Sequence, residues 1–567
     1  MTDNSQDPRT SWDEEVDVLV LGAGAAGLTA AVVSGVEGLS TLVLEKGDRV
    51  GGTTALSGGG AWFPANRHVA EVGITDSVEE GLEYLRACAG DAGDDAILVA
   101  LAEQGAATVE YLEDRAGLEF RPWPSVGGTI DYRPWLPGAK HGGRTLDPGK
   151  FTVADLGDWG PRVRTGPASE WVADKLDYYA GRMHTMPLPK GAGSRARPHE
   201  SGADAGAAIE HFASGTALIG RLLKAALEQG VTIVVEAPAE ALVVEDGTVV
   251  GVRARRDGKA WNVRARRGVV VATGGFGQNE ELKRRWLTRP LEYTCEPDTI
   301  TGDGHLMGAA VGAQLADIDA WWMPKIRIGD EPQSSREDRI LPHSLIVNMA
   351  GERFVNEATN YYDVSEAFGA RQGGWPRNLP AWLLFDRQAR DKYMMYGARV
   401  PEGPAPEGLI VADSIAELAD RLGIDSDALQ ATIERFNTFA REGRDLDFHR
   451  GESGWDLAWG DPNQTPNPCL GELSEPPFYA VEVIAGALGT KGGLRIDARG
   501  QVLSAAAPFA PIAGLYAAGN CSSGAAPVSY PGAGSTIGAA MTFGYIIGRE
   551  LARGGAASAQ AAHTAVA

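Results

Sequence analysis

Near its C-terminus the chain reads SYPGAGSTIG, Ser529 to Gly538. Tyr530 carries a phenolic O–H, and Gly534 opens a segment patterned as a helix. Both groups can therefore donate a hydrogen bond toward one oxygen, with the positive end of the helix behind them. A second set of residues stands near the N-terminus. In VDVLVLGAGAAGLTAAVVSG, Gly22, Gly24 and Gly27 form GxGxxG between a β-branched run and an Ala-rich stretch. Glu45 ends the next β-type run, STLVLEK. Glycines there permit a tight turn and close approach of backbone to a pyrophosphate, and the acid is placed to accept from a ribose hydroxyl. The chemistry expected is thus that of a bound dinucleotide, with two donors aimed at one further acceptor nearby.

The elements that must position these residues are legible in outline. The N-terminal run, helix and second run make a βαβ unit. TDSVEEGLEYLRACAG and DDAILVALAEQGAATVEYLEDRAG read as helices, as does GTALIGRLLKAALEQG, closed by Gly230. VTIVVEAPAEALVVEDGTVVGVRAR gives short strands with a turn at Asp246–Gly247, and RGVVVATGGF is a buried strand ending in glycines. From about 122 to 212 the pattern breaks into a Gly/Pro-rich stretch, a length that in a compact domain usually carries function or mobility. Ser414 and Glu417 have capping-box spacing ahead of a helical pair. GLYAAGN, Gly514 to Asn520, is a strand of the N-terminal kind. This predicts a discontinuous domain over 12–297 and 486–567, with a second domain over 298–485 inserted.

Composition narrows the function classes. A chain of 567 residues with 74 glycines exceeds one core and suits an α/β enzyme. A net charge of −23 argues against nucleic acid and anionic membranes as partners. Cys88, Cys295, Cys469 and Cys521 are scattered without a CxxC, which suggests reduced thiols and a cytoplasmic location. Met1 to Glu15 is polar and acidic, and no apolar run approaches the roughly 18 residues that span a bilayer. The nine histidines lack metal-ligand spacing, so no metal site is expected.

GGTTALSGGG at 51–60, VVVATGGF at 269–276, TGDG at 301–304, GERFVNE at 351–357, GTKGGLRID at 489–497 and GLYAAGN complete a pattern. With it the chain resembles the FAD-dependent fumarate reductase/3-ketosteroid dehydrogenase superfamily over nearly its whole length. The resemblance implies an α/β fold: a Rossmann-like FAD-binding domain with an inserted α+β catalytic (lid) domain. It implies non-covalent FAD at Gly22, Gly24, Ala25, Ala26, Gly27, Glu45, Lys46, Gly52, Thr53, Thr54, Ser57, Gly58, Gly59, Gly274, Gly519, Asn520, Ser535, Thr536 and Ile537.

Fumarate-reducing branches hold a dicarboxylate with His and Arg, yet GNCSSGAAPVSYPGAGSTIG contains neither. SYPGAGSTIG is instead similar to the motif of 3-ketosteroid Δ1-dehydrogenases. That implies Tyr530 and Gly534 on the steroid 3-keto oxygen, Tyr361 as the base at C2, Tyr132 assisting it, and hydride transfer from C1 to flavin N5. Many members have an aromatic residue where Arg133 stands. Tyr362 adjoins Tyr361 and competes for its role. The alternatives are a Δ4-(5α)-dehydrogenase and, more remotely, a fumarate reductase-like or electron-transfer flavoprotein. The implied partners are a 3-ketosteroid and an electron acceptor such as a quinone. Trp321 and Trp322 suit either a steroid slot or packing, and Arg195 and Arg197 a solvated surface.

Overall fold

The computed structural model describes residues 11–123, 130–166, 209–328, 331–334, 339–393, 405, 407–524 and 529–554. Arg195, Arg197, most of the N-terminal tail and much of the irregular stretch lie outside them. The first strand, β1 (Glu14–Leu21), leads through the glycine turn into helix α1 (Ala25–Val36) and then β2 (Thr41–Leu44). β3 (Thr232–Val234) continues the sheet beyond β2. A β-meander follows, β4 (Ala239–Glu245), β5 (Thr248–Arg256) and β6 (Lys259–Val271), with turns at the predicted Asp246–Gly247 and at Asp257–Gly258.

A second sheet is built from β7 (Leu315–Ile328), β8 (Ser344–Asn348), β9 (Ala381–Phe385) and the long β10 (Phe478–Arg495). Between β8 and β9 lies helix α2 (Tyr361–Phe368). The chain then returns to the first sheet as β11 (Gln501–Leu503) and β12 (Pro511–Ala517), and ends in helix α3 (Ser535–Arg553). The first sheet runs β11-β12-β6-β1-β2-β3, parallel from β12 to β3. The second is antiparallel along β7-β10-β9-β8. The architecture is thus α/β with mixed sheets.

The parallel strands are buried on both faces, which is why they read as continuous β-branched runs rather than alternating ones. α1 and α3 cover one face. Their backbones approach closely because Gly544 lies over the Ala26 carbonyl and Gly548 over Val33; a Cβ at Gly548 would stand 2.7 Å from Val33 Cβ. The two predicted N-terminal helices appear as Val78–Ala89 and Asp95–Ala116. Ser414 caps its helix by accepting from the Glu417 amide, while the Glu417 carboxylate accepts from the amide of Asp413, one residue before the cap.

The expected division at 485/486 falls inside β10. That strand is hydrogen-bonded to β9 over Tyr479–Val483 near its start and to β7 over most of its length. Ser522–Ser523, from the C-terminal segment, also pairs with it. Within the glycine-rich GTKGG at 489–493, Thr490, Lys491 and Gly493 lie at paired positions opposite β7. The four cysteines are free, and three of them are buried.

Candidate active site

β1, β6 and β12 are parallel, so their carboxyl ends deliver three loops to one edge of the sheet. These are the Gly22–Gly27 turn, the Thr273–Phe276 loop and the Gly519–Asn520 turn. The Gly22 conformation, φ +101°, is one that only glycine adopts without strain, and a Cβ there would stand 2.4 Å from the Ala272 carbonyl oxygen. α1 then begins at Ala25 with Gly24 as its N-cap. A Cβ at Gly24 would have only Thr54 Oγ1 within 4 Å, at 3.9 Å, so the space before this helix is open as a pyrophosphate requires. Thr54 Oγ1 also accepts from the Ala25 amide at 3.3 Å, tying the GGTT segment, a short helix over Gly52–Ala55, to the fingerprint. Ser57 donates to the Thr54 carbonyl and accepts from Gly59, folding Ser57, Gly58 and Gly59 back under it.

The amides of Thr536 and Ile537 in the first turn of α3 have no acceptor within the helix, and with the open space before Gly24 they leave donors and room that a flavin dinucleotide fits. Bound FAD would supply a hydride acceptor there.

Three assigned residues have further duties. Glu45 accepts from the Ala23 amide at 2.9 Å and from the Gly47 amide at 2.8 Å, and burial pushes its carboxyl up. It therefore fixes the glycine turn from beneath. Lys46 reaches Asp303 and Thr301 at 2.9 and 2.6 Å, joining the strand end to TGDG. Asn520 Oδ1 accepts from Trp321 Nε1 at 3.3 Å, which puts this tryptophan against the nucleotide edge. Trp322 belongs to the same buried cluster, where its Nε1 donates to Asp319 and Arg289 covers its ring.

Tyr132, Tyr361 and Tyr530 meet in one buried cluster although they are far apart in sequence. Tyr132 and Tyr530 stack at 5.4 Å between ring centroids, while Tyr361 meets Tyr132 at 5.4 Å and Tyr530 at 5.5 Å, edge to face. The Tyr361 hydroxyl shares hydrogen bonds with those of the other two. Burial, then the neighbouring Tyr132 and Tyr530, push its phenol well above the usual value. Tyr361 is the first residue of α2, next to an Asn360 cap. Tyr362 lies in the same cluster, its ring centroid 6.1 Å from that of Tyr530, and its hydroxyl takes a hydrogen bond from Lys491 Nζ at 3.1 Å. The Trp321 ring stands 5.2 Å from that of Tyr530 and closes the cluster on the nucleotide side. Gly534, φ +84°, is the N-cap of α3, and a Cβ there would stand 2.2 Å from the Gly60 carbonyl oxygen. The end of GGTTALSGGG and the start of α3 thus pack backbone to backbone, and Trp62 N donates to the Gly534 carbonyl at 3.1 Å.

Supports that sequence reading missed surround these groups. The Pro531 carbonyl accepts from Tyr132 N at 2.9 Å and from Tyr84 Oη at 2.7 Å, locking two of the tyrosine loops together. Asp131 is fully enclosed, accepts from Arg144, Trp62 and Lys140, and is pushed up to about 6 by burial. In GERFVNE, Arg353 and Glu357 pair at 2.7 Å, and Arg450 and Asp445 complete a buried ion network behind α2. Only this last motif was visible in sequence.

Glu296 is a further buried carboxyl. It accepts from Thr294 and Thr490, against the glycines of the Thr273–Phe276 loop, and burial pushes it up to about 7. From the ordinary value near 4.5 up to 7 the unfolded chain gives up this proton and the folded one keeps it, so stability falls as pH rises through that window and levels off above it. The penalty at alkaline pH is on the order of 3 kcal/mol. Glu296→Gln should therefore melt higher than wild type at pH 8 and close to it at pH 4.5. Equal pH dependence of the two melting temperatures would rule this out.

The family model described as FAD binding domain matches residues 17–537. The 3-oxosteroid 1-dehydrogenase of Mycobacterium tuberculosis is 38% identical over 95% of this chain and 98% of its own. The 4-oxocyclohexanecarboxylate 2-dehydrogenase of Sinomonas cyclohexanicum is also 38% identical, over 96% of this chain and 93% of its own. Among solved structures, a 3-ketosteroid Δ1-dehydrogenase from Sterolibacterium denitrificans, in complex with 1,4-androstadiene-3,17-dione, superposes with a TM-score of 0.83 at 33% identity. That match covers 95% of this chain and all of the other.

Proposed function

Because the chain belongs to the FAD-dependent 3-ketosteroid dehydrogenase family of flavoproteins, we propose that it introduces a C1–C2 double bond into ring A of 3-ketosteroids. The single observation that carries this reading is the convergence of Tyr132, Tyr361 and Tyr530 beside Gly534 at the nucleotide edge. Tyr530 Oη and the Gly534 amide hold the 3-keto oxygen, and the positive end of α3 adds to them. Polarising that ketone acidifies the C2–H, and Tyr361, as the phenolate whose charge the Tyr132 hydroxyl shares, takes the proton and becomes the neutral phenol. Bound FAD supplies the acceptor for the C1 hydride. The apolar faces of Trp321, Trp455 and Ile130 keep water from the enolate-like charge.

In this arrangement the part over 12–297 and 486–567 carries the flavin, and the part over 298–485 brings Tyr361 down as a lid. Four free thiols fit a cytoplasmic setting, and the electron acceptor is taken to be a quinone or similar small oxidant. No helix among the described residues is long and apolar enough to cross a membrane. The equal identity to a 4-oxocyclohexanecarboxylate 2-dehydrogenase supports a second reading of the ring system but the same chemistry at the ketone. Incubation with androst-4-ene-3,17-dione, and separately with 4-oxocyclohexanecarboxylate, followed by mass spectrometry and NMR, tests both. The 1,4-diene from the steroid is expected. A product desaturated elsewhere, or turnover of the monocyclic acid alone, would replace the proposed activity.

A further inference from the structure

We propose that Arg133 is a positioning residue whose ion pair with Asp363 latches the Tyr132 loop onto the helix that carries Tyr361. The pair is bidentate: Arg133 Nη2 donates to Asp363 Oδ1 at 2.6 Å and Nε donates to Oδ2 at 3.1 Å. Each side chain is only 21% exposed, unlike a solvated surface pair. The two residues are 230 positions apart, and each is next to or close after one tyrosine of the cluster.

The same carboxylate is shared. Asp363 Oδ2 accepts from Asn360 Nδ2 at 2.9 Å, and Asn360 Nδ2 also reaches the Tyr132 carbonyl at 3.3 Å. Asn360 Oδ1 meanwhile caps α2 by accepting from the Asp363 amide at 3.0 Å. On the other side, the Arg133 amide donates to Tyr84 Oη at 3.2 Å, and Tyr84 holds the Pro531 carbonyl beside Tyr530. One continuous set of hydrogen bonds therefore runs from the helix start through Arg133 to the loop of Tyr530. All three phenols are registered to it. A 1 Å slip between Tyr132 and Tyr361 would lengthen the hydrogen bond through which the proton charge is shared. Lysine in place of Arg133 keeps the charge but not the planar fork.

This rests on Tyr361 and Tyr132 acting together on the C2 proton, and the experiment separates the two ideas. Arg133→Gln, Asp363→Asn, the double variant and Arg133→Lys are compared by single-turnover flavin bleaching with a 3-ketosteroid, by steroid binding, and by amide hydrogen exchange over residues 361–368 without steroid. Each single neutral variant should bleach about 10-fold more slowly while binding steroid within two-fold. The double variant should be no slower than the worse single one, and Arg133→Lys should fall between Gln and wild type. Exchange in α2 should quicken in Arg133→Gln. Bleaching at the wild-type rate, or losses that multiply in the double variant, would overturn the latch. Should wild type itself not bleach with steroid, the proposed activity fails, and unchanged exchange in Arg133→Gln would then overturn the latch separately.

Discussion

Tyr361→Phe is expected to abolish flavin bleaching by a 3-ketosteroid, a loss of at least about 10³-fold, while steroid binding stays within a few-fold. Phenylalanine keeps the ring that packs edge to face on Tyr132 and Tyr530 and removes only the oxygen shared between them. A variant defect in chemistry with intact binding is what loss of a proton acceptor produces. Because burial holds the Tyr361 phenol well above its ordinary value, the resting form is neutral. Its reactive fraction grows as pH rises, so wild-type bleaching should climb with pH with no plateau below about 10. Tyr132→Phe should slow bleaching without stopping it. Tyr362→Phe is the decisive control, because the Lys491 ammonium lies 3.1 Å from its hydroxyl, a cation that would stabilise a phenolate there. Wild-type bleaching in Tyr361→Phe together with loss in Tyr362→Phe would move the base by one residue.

The parts of this site that were legible in sequence are those where backbone geometry demands a residue type. Gly22 and Gly534 both have positive φ and both lie against another segment's carbonyl, so glycine is required and the spacing around it shows. Tyr530 was legible because it stands beside such a glycine. Tyr361 came from its position after GERFVNE, whose Arg353 and Glu357 turn out to be a buried pair holding the preceding loop. The pairing of Arg133 with Asp363 was illegible because neither residue has a local pattern; it exists only when the fold brings the Tyr132 loop and the helix of Tyr361 face to face. Lys491 was read as part of a glycine-rich motif, yet its ammonium lies over the Trp321 ring at 4.4 Å inside the aromatic cluster. Burial drives its pKa down, a property that no spacing rule reports. The domain boundary expected at 485/486 lies within a continuous strand whose glycines admit a neighbouring chain; at Gly486 a Cβ would press on Lys325 Cγ at 2.5 Å.

Tyr530→Phe is expected to lower turnover by about 10²–10³-fold, the usual cost of one donor to a developing oxyanion. The geometry makes this a clean deletion. The Tyr530 ring is stacked on Tyr132 with an interplanar angle of 14° and held edge-on by Trp321, contacts that phenylalanine preserves. The next residue, Pro531, keeps its carbonyl tied to Tyr132 N and Tyr84 Oη, so the loop has no reason to move. The Gly534 amide and the start of α3, a helix of 19 residues, remain to bind the ketone oxygen. The residual rate should therefore stay above that of Tyr361→Phe, which keeps the oxyanion donors but has nothing to receive the proton. FAD content should match wild type, because the fingerprint glycines and the Thr273 loop are untouched. Steroid affinity should weaken less than turnover, since the hydrogen bond strengthens as negative charge moves onto the oxygen. Turnover and FAD content measured on the same preparation check this. Near-normal turnover would take Tyr530 off the ketone, and a loss confined to KM would make it a ground-state contact only.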